Sequence, residues 1–311
     1  MESKETGHRG QARRAGNPDP EQIGYRVIRL RSWDLAKAFL SKLPRDDRRP
    51  GGHLFWCFRG QPNASWGLST TLERDGLRYG CPSAAYAERE RRRINEFRER
   101  VRFHGGTPAL SLRDIDVLAL VQHYGGSTRL LDFTYSWCVA CFFALLDAED
   151  DAAVWVVNAR HVRKGHAERL QRSDLRRPSE FNCWALTECD RALDPASIGQ
   201  GEGVLLVQPH SNPVNARLAA QKGLFLFPLD VTASFEDNLE SALDLPDHAL
   251  AQRRVHEHYS GAFKTMFHKV LKVILPKEIH RAAMSELHQM DVTSASLFPG
   301  QGGSRAHCGG T

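Results

Sequence analysis

The sequence lacks any apolar run near the ~20 residues that a membrane-spanning helix needs. Met1 to Pro20 also lacks the hydrophobic stretch that marks a secretory leader. These two absences point to a cytoplasmic protein with no membrane partner. Cysteine is scarce and odd in number, seven in 311 residues, which argues against a disulfide framework of the kind that staples small secreted domains. Cys138 and Cys141 stand three apart without a second Cys/His pair at zinc-like spacing, so no metal is expected. The thiols lie mostly in apolar stretches and read as buried free cysteines. A strong excess of one charge is missing too: 42 Lys+Arg against 37 Asp+Glu leave a net +5, which permits a nucleic-acid partner without requiring one.

What is present fits a soluble domain with a substantial core, since 41% of residues are hydrophobic and 25% charged. Residues 1–22 are polar, rich in Gly, Arg, Glu and Pro and without periodicity, and read as a disordered basic tail; residues 23–300 read as one domain and 301–311 as a flexible C-terminal tail. Strands are expected at Tyr25–Leu30, His53–Arg59, Trp66–Leu72, Ala153–Val157, Gly203–Val207, Leu224–Leu229 and Lys269–Leu275. Helices are expected from the Ser32 cap to about Leu43, over Ala84–Phe103, Arg113–Tyr124 and Tyr135–Asp147, and from Pro276 to about Met290. The polar stretch His161–Gln200 reads as loops and short helices over one side of the sheet. The fold class that follows is α+β, a mixed, split β-sheet flanked by helices.

Two stretches carry chemistry. In Phe58-Arg59-Gly60-Gln61 a guanidinium at a strand end can hold a phosphate or carboxylate bidentately. Gly60 either lets a ligand approach the backbone or simply turns the chain. Gln122-His123-Tyr124-Gly125-Gly126-Ser127-Thr128-Arg129-Leu130-Leu131-Asp132-Phe133-Thr134 concentrates hydrogen-bonding side chains between two helices. His123, at a helix C-terminus, is favoured in its charged form by the dipole and either binds an anion, donates a proton or caps carbonyls. Arg129 and Asp132 are near enough to pair and hold the loop. Thr134 and Ser136 read as caps of the next helix or as ligand contacts.

These segments, with Phe142-Phe143-Ala144, Gln221-Lys222-Gly223-Leu224-Phe225 and Ala295-Ser296-Leu297-Phe298-Pro299, resemble the FRG-domain family in the same order over Tyr25 to Gly300. That family occurs in bacterial and phage-associated proteins, and the resemblance implies a toxin or phage-defence setting. A more distant resemblance, to ADP-ribosyltransferases of the Arg-Ser-Glu type, rests on Arg59, on Thr134 to Ser136 and on Gln221 to Pro228. It implies an ADP-ribosyltransferase-like fold with NAD as substrate and a protein or nucleic acid as target. Arg59, Gly60, Gln61, Tyr124, Thr134 and Ser136 would then bind the ligand. Gly223 stands where that family has its catalytic Glu, so the catalytic role passes to His123, Gln221 or Asp132.

Two other readings compete with the enzyme. The arginines Arg89, Arg91, Arg92, Arg93, Arg98, Arg100 and Arg102 can form a nucleic-acid-binding face, although Glu88, Glu90, Glu96 and Glu99 interleave at helical spacing. A non-catalytic sensing or interaction domain is the other, and it predicts that Arg59, His123 and Gln221 do not line one cleft.

Overall fold

In the computed structural model, which describes residues 25–43, 55–103, 112–209, 212–251, 257–258 and 268–299, eight strands among the described residues form one sheet. They are β1 (Tyr25–Arg29), β2 (Trp56–Gln61), β3 (Leu131–Thr134), β4 (Ala152–Asn158), β5 (Val204–Val207), β6 (Gly223–Pro228), β7 (Glu257–His258) and β8 (Val270–Leu275), in the order β5-β6-β3-β2-β4-β8-β1-β7. The pairings of β1 with β7 and β8 are parallel; the remaining neighbours are antiparallel. The Val-rich β4 is buried at every position, as a strand covered on both faces must be. It pairs with β2 and with β8 over six residues each.

The junction between β2 and β3 is narrow, with Phe58 opposite Thr134 as its single register pair. The anticipated split is therefore a seam inside one sheet, between a β5-β6-β3 block and the rest.

The helices are α1 (Trp33–Lys42), α2 (Thr71–Arg78), α3 (Tyr86–Phe103), α4 (Asp114–His123), α5 (Trp137–Leu145), α6 (Ala159–Arg169), α7 (Pro178–Ala192), α8 (Asn212–Ala220), α9 (Phe235–Leu243), α10 (His280–Gln289) and α11 (Ser294–Leu297). One face of the sheet is covered by α1, α5, α10 and α11, where Phe39, Trp137, Phe142 and Leu287 pack on Phe58, Val154 and Val156. On the other face Ile94, Leu118, Val162, Phe181 and Leu239 of α3, α4, α6, α7 and α9 pack on Trp155, Val157 and Leu226. Each such fully buried side chain contributes about 1.5–3 kcal/mol.

Ser32 caps α1 as expected, accepting from the Leu35 N–H at 3.2 Å. The strand expected over Trp66–Leu72 does not form. The carbonyls of Trp66, Gly67 and Ser69 are instead taken by the side chains of Lys272, Gln61 and Arg74, and Thr70 opens α2 through a capping box with Glu73. The 161–200 stretch holds longer helices than expected, because Phe181, Ala185, Leu186 and Cys189 form an apolar stripe on the 15-residue α7. Among the described residues no helix is long and apolar enough to cross a membrane. Of the six described cysteines, Cys57, Cys141 and Cys189 are buried, Cys81 and Cys138 are partly so, and Cys183 is exposed. The expected tails at 1–22 and 301–311, and His53 at the start of the second expected strand, lie outside the described residues.

Candidate functional site

Strand alternation sends Phe58 and Gly60 of β2 toward α5 and Arg59 and Gln61 toward the other face. Phe58 meets Trp137 edge-on, ring centroids 5.7 Å apart. A Cβ on Gly60 would stand 2.0 Å from the Ala140 carbonyl oxygen and 2.5 Å from the Ala144 nitrogen. Both atoms are helix backbone. Gly60 therefore admits α5 onto the strand, which corrects the reading of it as a place for ligand approach. Gln61 is buried as well: its Oε1 accepts from Trp155 Nε1 at 2.8 Å and its Nε2 donates to the Gly67 carbonyl at 2.9 Å. Both ends of that amide are committed to holding the loop after β2, and this is a structural role rather than the expected ligand contact.

Arg59 sits where the β2–β3 ladder stops. Extending the register from Phe58 and Thr134 sets Gly60 opposite Asp132, yet no such pair forms. The Asp132 carbonyl accepts instead from Arg59 Nη1 at 2.8 Å, so the guanidinium spans the seam. Arg59 Nε is shielded from solvent and has no hydrogen-bond partner. Burial pushes the Arg59 pKa down to about 10, against the favourable charge of Asp132 and with the repulsion of Arg74. It remains a cation at neutral pH.

The exposed Asp132 carboxylate lies beside it, its Oδ2 accepting from Gln122 Nε2 at 2.8 Å. Thr128 Oγ1 donates to Gln122 Oε1 and itself accepts from the Leu130 N–H. That orients the amide so that its NH2 faces the carboxylate. Arg74, in the first turn of α2, donates from Nη1 to the Ser69 carbonyl at 2.6 Å. Sequence reading passed over Arg74 because the segment was taken as a strand; the Thr70 and Glu73 capping box was the signal that places it on a helix.

The other candidates fall elsewhere. Thr134 Oγ1 donates to the Gln221 carbonyl at 2.6 Å and accepts from the Ser136 N–H at 2.9 Å. Ser136 caps α5 by accepting from the Val139 N–H at 3.4 Å, so capping is the contact it makes. Gln221 Nε2 donates to the Leu297 carbonyl at 3.1 Å, tying the turn before β6 to α11. Gly223 is buried opposite Thr134, and a Cβ there would lie 2.7 Å from Leu218 Cδ2. The place of the family's Glu is filled by α8.

His123 departs from expectation in its electrostatics. Desolvation lowers its pKa, and Arg217 lowers it further; this outweighs the helix-end effect that was expected to favour the charged form. Tyr124 is exposed, edge-on to His123 at 5.2 Å and stacked with Phe97 at 6.1 Å. The expected Arg129–Asp132 pair does not form either. Arg129 turns into the core, where its Nε meets Glu90 Oε2 at 2.6 Å, while Asp132 faces Gln122. The candidates thus divide into Arg59 with Asp132, His123 with Tyr124, and Gln221 with Thr134 and Ser136.

The basic helix α3 spends much of its charge internally. Arg91 and Arg98 both reach Asp114, at 2.6 and 2.7 Å, Arg92 reaches Glu88 at 3.1 Å, and Arg93 donates to the Ser127 carbonyl at 2.8 Å. Among the described residues no group of three or more His, Cys, Asp or Glu side chains is arranged to hold a metal.

Residues 55–153 match the model of the FRG domain, a span that runs from the start of β2 into β4 and includes both walls of the seam. No curated protein and no solved structure matches the chain.

Proposed function

Starting from the FRG domain at residues 55–153, we propose that the chain is an ADP-ribosyltransferase-like enzyme that takes NAD at the β2–β3 seam. The observation that carries this reading is Arg59: a half-buried cation at the end of a strand, with one N–H on a backbone carbonyl and Nε without a partner. Such a fork is suited to a phosphate oxygen of the dinucleotide. In the transfer the bond from the ribose C1′ to the nicotinamide nitrogen breaks, nicotinamide leaves neutral with the electron pair, and positive charge develops on the ribose. A nucleophile of the target protein or nucleic acid then bonds C1′ and releases its proton to solvent. Asp132, the carboxylate beside Arg59, is the group we assign to stabilise that charge, in the role that Gly223 cannot fill.

A binding-only reading, in which the seam senses a nucleotide without transferring it, is favoured by one observation: Thr134, Ser136, Gln221 and Gly223 are all engaged in packing or capping. Incubation with labelled NAD and cell extract, read as nicotinamide release and label transfer, separates the two. The enzyme reading expects turnover that Arg59→Ala abolishes and that Asp132→Asn lowers by about 100-fold. Binding of ADP-ribose without turnover replaces transfer by sensing. Absence of both overturns the assignment of the seam to NAD.

A further inference from the structure

Arg59 and Arg74 reach the seam from different elements, one from β2 and one from the first turn of α2, and each influences the other's surroundings electrostatically. Among the described residues neither has a carboxylate at ion-pair distance, in a chain where many other arginines do. The acids that could neutralise them are engaged elsewhere. Glu73 accepts from the Thr70 N–H at 2.5 Å and the Phe235 N–H at 2.6 Å. Asp75 accepts from Ser127 Oγ and lies 3.9 Å from Arg93 Nη2. Asp132 Oδ2 accepts from Gln122.

Two guanidiniums held close without counter-charge repel each other, and partial desolvation makes the repulsion larger than in water. A ligand bearing two negative charges at adjacent positions relieves it. Each fork has one N–H spent on a backbone carbonyl, of Asp132 for Arg59 and of Ser69 for Arg74, which sets its direction and leaves other donors free. The spacing of the two is held by a chain of bonds. Thr71 Oγ1 donates to the Thr128 carbonyl at 3.1 Å and accepts from the Thr128 N–H at 2.9 Å, while Thr128 holds Gln122, and Gln122 holds Asp132. This chain fixes α2, which carries Arg74, to β3, which Arg59 contacts.

We propose that Arg74 is the second arm of a two-arginine clamp with Arg59 and that the clamp recognises a diphosphate in preference to a monophosphate. The proposal rests on the reading of Arg59 as a phosphate ligand and does not depend on whether transfer follows.

Isothermal titration of the full chain with inorganic pyrophosphate, inorganic phosphate and ADP-ribose tests it. Wild type should bind pyrophosphate at least about tenfold tighter than phosphate, the effect of one added charge-assisted contact. Arg74→Ala should lose that preference while phosphate binding through Arg59 persists. Arg78→Ala, on the exposed end of the same helix, should leave both unchanged, which separates a local clamp from net charge. ADP-ribose, esterified at both ends of its diphosphate, should bind as tightly as pyrophosphate or tighter if the natural ligand is dinucleotide-like; weaker binding assigns the clamp to a free diphosphate. Pyrophosphate binding that is lost in Arg59→Ala and unchanged in Arg74→Ala overturns the clamp and leaves the Arg59 site standing. No pyrophosphate binding by folded wild type overturns both.

Discussion

Removing Glu90 should damage this protein more than removing any exposed acid at the seam. Glu90 and Arg129 are 0% and 2% exposed at their side chains, with Oε2 and Nε 2.6 Å apart. Glu90 Oε1 also accepts from the Arg129 N–H at 3.0 Å. The guanidinium lies 5.0 Å over the Phe227 ring and has one further long contact, 3.5 Å, to the Ala192 carbonyl. Glu90→Ala therefore strands a buried cation and a backbone N–H together. Breaking one side of a buried pair costs about 3–5 kcal/mol. The double variant Glu90→Leu with Arg129→Met removes both charges, and its remaining cost is the orphaned Arg129 N–H, about 1–3 kcal/mol. Asp132→Ala, at an exposed site, should cost under about 1 kcal/mol. Urea denaturation followed by tryptophan fluorescence measures all three. A loss below about 1 kcal/mol for Glu90→Ala, or one no larger than that of Asp132→Ala, would refute the assignment of Arg129 to Glu90.

Gly60→Ala forces α5 off the sheet, because its Cβ would stand 2.0 Å from the Ala140 carbonyl oxygen; a loss of about 1–3 kcal/mol or more is expected in thermal melts. Gly223→Glu restores the residue that the transferase pattern calls for, yet it should lower stability and leave nicotinamide release no higher than wild type, since Leu218 occupies the space. Lys272 lies over the Trp155 ring, with its Nζ on the Trp66 carbonyl and Glu236 nearby, and burial lowers its pKa to about 8 from an ordinary 10.5. The unfolded chain then holds the proton over a range where the folded chain has lost it, so Lys272 makes stability rise with pH between those two values and imposes a constant cost below them. Denaturation of wild type and Lys272→Met across that range should show the extra rise in wild type alone; parallel curves would count against the shift.

Much of the frame was legible in the sequence because it rests on local patterns. The β-branched run Val154 to Val157 announces a central strand, Ser32 a helix start, and the apolar Tyr135–Asp147 stretch a buried helix, observed as Trp137–Leu145. The segment around Trp66 was misread because its aromatic and apolar residues have the texture of a strand, while what holds it is a set of side chains from β2, β8 and α2. Their reach is not written in the local pattern.

The Phe58-Arg59-Gly60-Gln61 motif and the following polar segment were visible from residue types alone, and so was the choice of Arg59 as the ligand-facing group. Their division of labour was not. That Gly60 serves α5, that Arg129 answers Glu90 39 residues away, and that Arg74 stands beside Arg59 all depend on which backbone the tertiary fold brings within a few ångströms. Sequence sets charge, period and caps, which act over one or two turns. Only packing decides which buried charge finds a counter-charge, and at the seam it leaves Arg59 and Arg74 without one.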